Sequence, residues 1–271
     1  MPKQKILIAV KTYPSISLKY EELVCTAGFT EKGEWIRLYP IPFRKLEYES
    51  QYRKYDWIEI DIVKNTSDFR PESFKPVNID IPIVKLSHLD TDNNWAERKK
   101  IVLQKVYTDL DLLIKDAKDP NNLTSLAVFK PDKIIDFVIE EDEREWSKEK
   151  LLLLKQGNLF KDIKLDDEIV RKLPYKFSYK FQDKNGKVSK LMNEDWELGA
   201  LYWKQLKKYE GNEYLACQDV KKKYLDDFAK TKDLYLYLGT TKLNHYRAPN
   251  PFIIIGTFTP KIELQKQFNL F

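Results

Sequence analysis

In GEWIRLYPIPFR, residues 33 to 44, Ile36 and Leu38 share one parity while Trp35, Arg37 and Tyr39 share the other. Successive side chains of a strand point to opposite faces, so this stretch would bury two aliphatics and present indole, guanidinium and phenol together. Such a face suits one kind of chemistry: bases stack on the aromatic rings while Lys and Arg hold the phosphates of a single strand. Arg44, Arg53 and Tyr55 follow nearby, and Lys11 ends the first apolar run. The candidate set is therefore Trp35, Tyr39 and Tyr55 as stacking groups, with Lys11, Arg37, Arg44 and Arg53 as phosphate contacts. A second reading of the same face is structural. DWIEIDIV, 56 to 63, turns Ile58, Ile60 and Ile62 to one side and Trp57, Glu59 and Asp61 to the other. If it neighbours residues 34 to 39, Arg37 meets a carboxylate across the ladder.

The run NTSDFRPESF, 65 to 74, crowds Asn65, Asp68, Arg70 and Glu72 around a stiff proline. Asp68 and Glu72 could hold Mg²⁺ beside a phosphate, because that ion takes hard oxygen ligands, and this is the basis of an alternative reading as a phosphoesterase or nuclease. The competing reading is an Asx turn with Arg70 paired to Asp68 or Glu72. A further stacking candidate is the strand at 233 to 238, where Tyr235 and Tyr237 alternate with leucines. No phosphate-cradling glycine motif, no G-x-S-x-G elbow and no H-E-x-x-H is present. Cys25 and Cys217 have no sequence-adjacent base, and no catalytic residue or cofactor is assigned.

The elements that must position these groups follow from composition and period. The 271 residues are 42% hydrophobic, ample for a core, and 47 Lys+Arg against 42 Asp+Glu leave a net charge of only +5. Any anion-binding face must therefore be local. Two distant cysteines and two histidines, His88 and His245, are poor material for a disulfide scaffold or a structural zinc site, so a soluble cytoplasmic protein is expected. The apolar run near the N-terminus is too short for a signal-peptide core or a membrane span.

Strand patterns fall at 6–11, 22–29, 34–39, 56–63 and 77–84, enough for a small barrel. Apolar residues from Asn94 to Ala117 recur mostly at three- and four-residue steps and predict one long amphipathic helix, stopped by Asp119-Pro120. Residues 125–141 return to strand composition with a break at proline. A hairpin is expected around Asn185-Gly186, then a helix at 196–209 capped by Asp195, a second helix at about 214–230, and strands at 233–240 and 252–258. The charged run 140–150 reads as a solvated segment, and QKQFNLF at the C-terminus as a tail.

This order resembles the dual OB-containing domain family, which is predicted to bind nucleic acid. The matching patterns are an opening apolar strand ending in lysine, VCTAGF leading into GEWIR, SLAVFKP, FQDKNGK followed by Glu194-Asp195-Trp196, and YLGT before FIIIGTF. The resemblance implies two OB-like barrels and nucleic-acid binding, and transfers no catalytic residue. The expected fold is α+β and β-rich. Two small OB-like or PUA-like β-barrel lobes, 1–92 and 123–271, are joined by a long helix within 93–122, with a helical pair inserted in the second. The expected partner is single-stranded or accessible DNA or RNA, with no membrane. The alternatives are the Mg-dependent enzyme and a protein-binding adaptor.

Overall fold

A computed structural model describes residues 3–17, 21–78, 80–149, 151–152 and 170–263; the expected C-terminal tail at 265–271 lies outside them. The protein is a mixed α+β, strand-rich chain. Its N-terminal sheet contains β1 (Gln4–Lys11), β2 (Ser15–Ser17), β3 (Glu21–Phe29), β4 (Trp35–Ile41), β5 (Asp56–Ile60), β6 (Ile62–Lys64), β7 (Ser73–Pro76) and β8 (Val84–His88). The order is β6-β7-β4-β3-β1-β5-β8, with β2 beside β3. β6 ends the pairing path on one side and β5 lies next to last on the other, yet only Asp61 separates the two in sequence, so the sheet curls around its own core. That core is aliphatic, formed by Ile6, Ile8, Val24, Ile36, Leu38, Ile58, Ile60 and neighbours. The inward positions of Ile36, Leu38, Ile58, Ile60 and Ile62 agree with their sequence parity. At Gly28 the partner strand approaches so closely that a Cβ would sit 2.0 Å from the Leu7 carbonyl oxygen, so only glycine fits.

Next come α1 (Asp92–Val102), β9 (Val106–Tyr107) and α2 (Leu110–Lys118). The single long helix expected at 94–117 is thus corrected to two short ones. Val106 and Tyr107 are taken by a parallel ladder with Val128 and Phe129, and the Asp109 side chain caps a fresh helix by accepting from the Leu112 amide at 3.0 Å. Two residues of strand pairing defeat a helical period that sequence alone could not see interrupted. The expected strand at 77–84 is also displaced, to β7 and β8 on either side of it, leaving the prolines at 76 and 82 at a strand end and in a connection.

The C-terminal half contains β10 (Leu126–Phe129), β11 (Lys133–Glu141), β12 (Tyr175–Gln182), β13 (Val188–Met192), α3 (Trp196–Lys208), α4 (Glu213–Lys221) running into a π-helical stretch (Lys222–Ala229), β14 (Tyr235–Thr240), α5 (Asn244–Arg247) and β15 (Phe252–Phe258). The break between β10 and β11 falls at Pro131, and the β12–β13 hairpin turns at Gly186, whose φ of 85° needs glycine. Asp195 caps α3 by accepting from the Glu197 amide at 3.2 Å.

The two halves share part of a pairing order, the first within one eight-stranded sheet and the second across a four-stranded and a three-stranded sheet. In the first, β1, β3 and β4 form an antiparallel meander, β4 pairs in parallel with β7, β7 with β6, and β5 with β1. In the second, β11, β12 and β13 form the meander, a single parallel bridge joins Asn193 to Ile254 of β15, β15 pairs with β14, and β14 with β10. In each half, helical segments connect the third strand to the fourth: two 3₁₀ turns, Phe43–Lys45 and Tyr48–Ser50, in the first, and α3 and α4 in the second. Between the halves lies an apolar layer of Leu7, Val10, Ala27, Phe29, Trp57, Leu126, Tyr237 and Phe258.

Candidate nucleic-acid interface

That layer decides what the second face of β4 does. Arg37 is buried, and its guanidinium donates to the carbonyl oxygens of Thr240 and Ser125, at 3.0 and 3.1 Å, and to Ser125 Oγ at 3.1 Å. Trp35 packs on Phe29, ring centroids 4.0 Å apart, and edge-on to Tyr237 at 5.7 Å. The expected solvent platform of Trp35, Arg37 and Tyr39 is therefore corrected: Trp35 and Arg37 face the C-terminal half, and only Tyr39 reaches the surface appreciably. The expected cross-strand carboxylate is also absent from the ladder, because β4 lies between β3 and β7 and not beside β5. Freeing this face would expose Leu7, Val10, Tyr237 and Phe258 at about 1.5–3 kcal/mol each. A stacked base returns only about 1–3 kcal/mol.

Tyr55 is likewise interior. It shares a hydrogen bond with the Tyr237 hydroxyl at 3.3 Å and carries the Arg98 guanidinium 3.9 Å above its ring. Tyr237 is buried by the same contact, while Tyr235 is half-buried against Phe258. The carboxylates of the 65–74 loop have structural partners. Asp68 accepts from Arg70 Nε at 2.9 Å, Arg70 Nη2 at 2.6 Å and Ser73 Oγ at 2.8 Å; Glu72 Oε1 accepts from the Ser125 amide and hydroxyl at 3.1 and 2.6 Å. Arg70 pairs with Asp68, as the turn reading expected.

The remaining candidates lead to a different place. Lys11 and Arg53 line one cleft of about 530 Å³, together with Phe43, Tyr48, Tyr52, Lys85, His88 and Trp196. The elements that build it are the end of β1, the two 3₁₀ turns, the exposed strand β8 and the first residue of α3. The connections between third and fourth strands of the two halves meet here, with the Phe43 and Trp196 rings 5.4 Å apart and near perpendicular. Lys11 Nζ donates to the Tyr52 carbonyl at 3.0 Å and sits 4.3 Å from the Phe43 ring centroid and 5.5 Å from that of Trp196. Burial pushes its pKa down to about 8, against the pull of Glu197 and Asp195.

The Arg53 side chain is largely exposed, and Tyr48 is 86% exposed. Asp56, the carboxylate on the cleft wall, is held by its neighbours. Its Oδ2 accepts from the Arg53 amide at 2.8 Å, and its Oδ1 lies 2.7 Å from His88 Nδ1. Burial alone would raise the Asp56 pKa, but these contacts hold it below the usual range. Arg44 stands outside this lining and is paired with Glu22 at 2.5 Å. Sequence reasoning missed Phe43, Tyr48, Lys85, His88 and Trp196 as a group. The available signal was the density of aromatics and cations in FRKLEYESQYRKY, 43 to 55.

Two families match the chain: one described as Domain of unknown function (DUF8758) over residues 2–104, and one described as Domain of unknown function (DUF8757) over residues 104–271. Their boundary falls just after α1. No curated protein matches. Among solved structures the chain is similar to a murine DNA binding protein bound with double-stranded DNA, at 12% identity and a TM-score of 0.32, over 98% of this chain and 99% of that one.

Proposed function

The chain belongs to the family described as Domain of unknown function (DUF8757), a description that names no chemistry, and we propose from the cleft itself that the protein binds nucleic acid by seating a nucleotide there. The observation that carries this reading is the convergence of Lys11, Arg53 and Lys85 on a cleft walled by Phe43, Tyr48, Tyr52 and Trp196. Tyr48 and Trp196 offer rings to a base, while the three cations offer contacts to its phosphates. About 530 Å³ lies within the range of small-ligand pockets. Arg44, next in sequence to Phe43 of the wall, extends the contact to a flanking phosphate.

The shared part of the pairing order supports reading each half as an OB-type barrel, a five-stranded Greek-key form, with domains at 1–92 and 123–271 and the 93–122 segment between them. On this reading the nucleotide lies where the two barrels' equivalent connections meet. The reading needs no metal and assigns no catalysis.

Fluorescence anisotropy of a labelled single-stranded oligonucleotide, titrated at stepped salt, tests it. Three phosphate contacts to a single strand give a log–log salt slope of about −2. Replacing Arg53 by Ala removes about 0.7 from the magnitude of that slope. A slope near zero, or one that Arg53→Ala leaves unchanged, counts against the proposal.

A further inference from the structure

We propose that the cleft is one end of a longer track for single-stranded nucleic acid, which runs along α3 to a second basic and aromatic cleft at Arg171 and Trp203. This rests on the reading of the first cleft as a nucleotide seat and extends it from one nucleotide to a strand.

Four contacts join the two ends. Phe43 meets Trp196, and Trp196 meets Tyr13 at 6.5 Å between ring centroids. Trp203 Nε1 donates to Tyr13 Oη at 2.7 Å, and the Arg171 guanidinium carbon lies 4.0 Å from the Trp203 ring centroid. Tyr13, Trp196 and Trp203 are all half-buried, and the two tryptophans each line one of the clefts.

The helix sets the spacing. Trp196 and Trp203 are seven residues apart, two turns, and so project from one side of α3 about 10 Å apart along its axis. A stacked strand advances about 3.4 Å per nucleotide, so roughly three nucleotides separate the two indoles. Tyr13 fills the interval because the helix carries Gly199 beneath it; a Cβ there would lie 2.2 Å from the Tyr13 ring.

The far end is a cleft of about 420 Å³ lined by Arg144, Trp146, Arg171, Lys172 and Trp203, among others. Arg144 is paired with Glu213 and Lys172 with Asp142, which leaves Arg171, exposed and stacked on an indole, as the cation best placed to meet a phosphate. The track thus has cations at both ends and rings between them. A linear polyanion with flat bases matches that pattern. A mononucleotide would use only one end.

Anisotropy with fluorescein-labelled oligodeoxythymidylates of about two, four, six and ten nucleotides tests this, since single-strand sites start at about four nucleotides. We expect affinity to rise at least about tenfold between two and six nucleotides and then to level off. Arg171→Ala and Trp203→Phe should weaken the six-nucleotide probe at least about fivefold, the scale of losing a stacking contact, and leave the two-nucleotide probe unchanged. Equal affinity at every length, with Arg53→Ala still weakening all probes, would overturn the track and leave the first cleft standing. Absence of binding by every probe at low salt would overturn both.

Discussion

Lys54 Nζ lies 2.8 Å from each carboxylate oxygen of Asp195, a buried ion pair that joins the N-terminal half to the C-terminal half. Each partner is one residue from a wall of the cleft, Arg53 on one side and Trp196 on the other. Glu197 Oε2, at 3.0 Å, accepts a third bond from the same ammonium. Burial raises the Asp195 carboxyl above its usual range, opposed by Lys54.

Breaking this pair from one side strands a buried charge. Lys54→Met should therefore destabilise the fold by about 3–5 kcal/mol in urea unfolding, whereas the double variant Lys54→Met/Asp195→Asn, which keeps the α3 cap and removes the stranded charge, should recover most of the loss. If the double variant is no more stable than the single one, the pair is not the link between the halves that the geometry indicates.

Arg37 separates the structural from the binding role. Because its donors hold Ser125 and Thr240 across the junction, Arg37→Met leaves buried acceptors without partners, at about 1–3 kcal/mol for each. The expected result is a lowered unfolding midpoint, with oligonucleotide affinity of the folded protein within about twofold of wild type. An affinity loss at unchanged stability would restore the surface role that the sequence alone suggested.

Lys11 gives a pH dependence of binding. Its pKa, pushed down by burial to about 8, lies within a range where proteins remain folded, and only the ammonium form attracts phosphate. Lys54, Asp195, Glu197 and Asp56 also face it, and three of these are carboxylates that resist the drop. Affinity should fall as pH rises from about 7 to 9. Lys11→Arg, which stays charged, should flatten that profile. A wild-type profile flat across this window would remove Lys11 from the phosphate contacts.

Asp68 makes an acid-side prediction for stability. Burial opposes its ionisation, but hydrogen bonds from Arg70 and Ser73 outweigh burial and lower its pKa to about 2. A carboxylate depressed in the folded state contributes stability that is present above its unfolded pKa near 3.9 and is lost as pH falls through the folded value. The stability difference between wild type and Asp68→Asn should thus be full above about pH 4 and shrink toward pH 2. A difference that grows on acidification would reverse the assignment.

Much of the fold was legible because period and turn chemistry act locally. Ile36 with Leu38, the Asp195 cap and the Asn185-Gly186 hairpin all lie where the sequence placed them. The helix expected at 94–117 failed because β9 is held by a ladder to residues more than twenty positions away, which no local period reports. The site failed for a related reason. Alternation located the second face of β4 but could not say that β14 and β10 would cover it. Trp196 read as a helix residue, and its cleft exists only because Phe43, far away in sequence, packs against it.

The most direct test of the central claim is to locate the nucleotide. Ultraviolet cross-linking of the protein to a single-stranded oligonucleotide, followed by peptide mass spectrometry, should place adducts on Tyr48 or Trp196, in the peptides that carry the first cleft, and Tyr48→Ala should abolish the first. Adducts confined to other regions, such as the exposed Phe69 and Tyr246 pair, with none at Tyr48 or Trp196, would contradict the account.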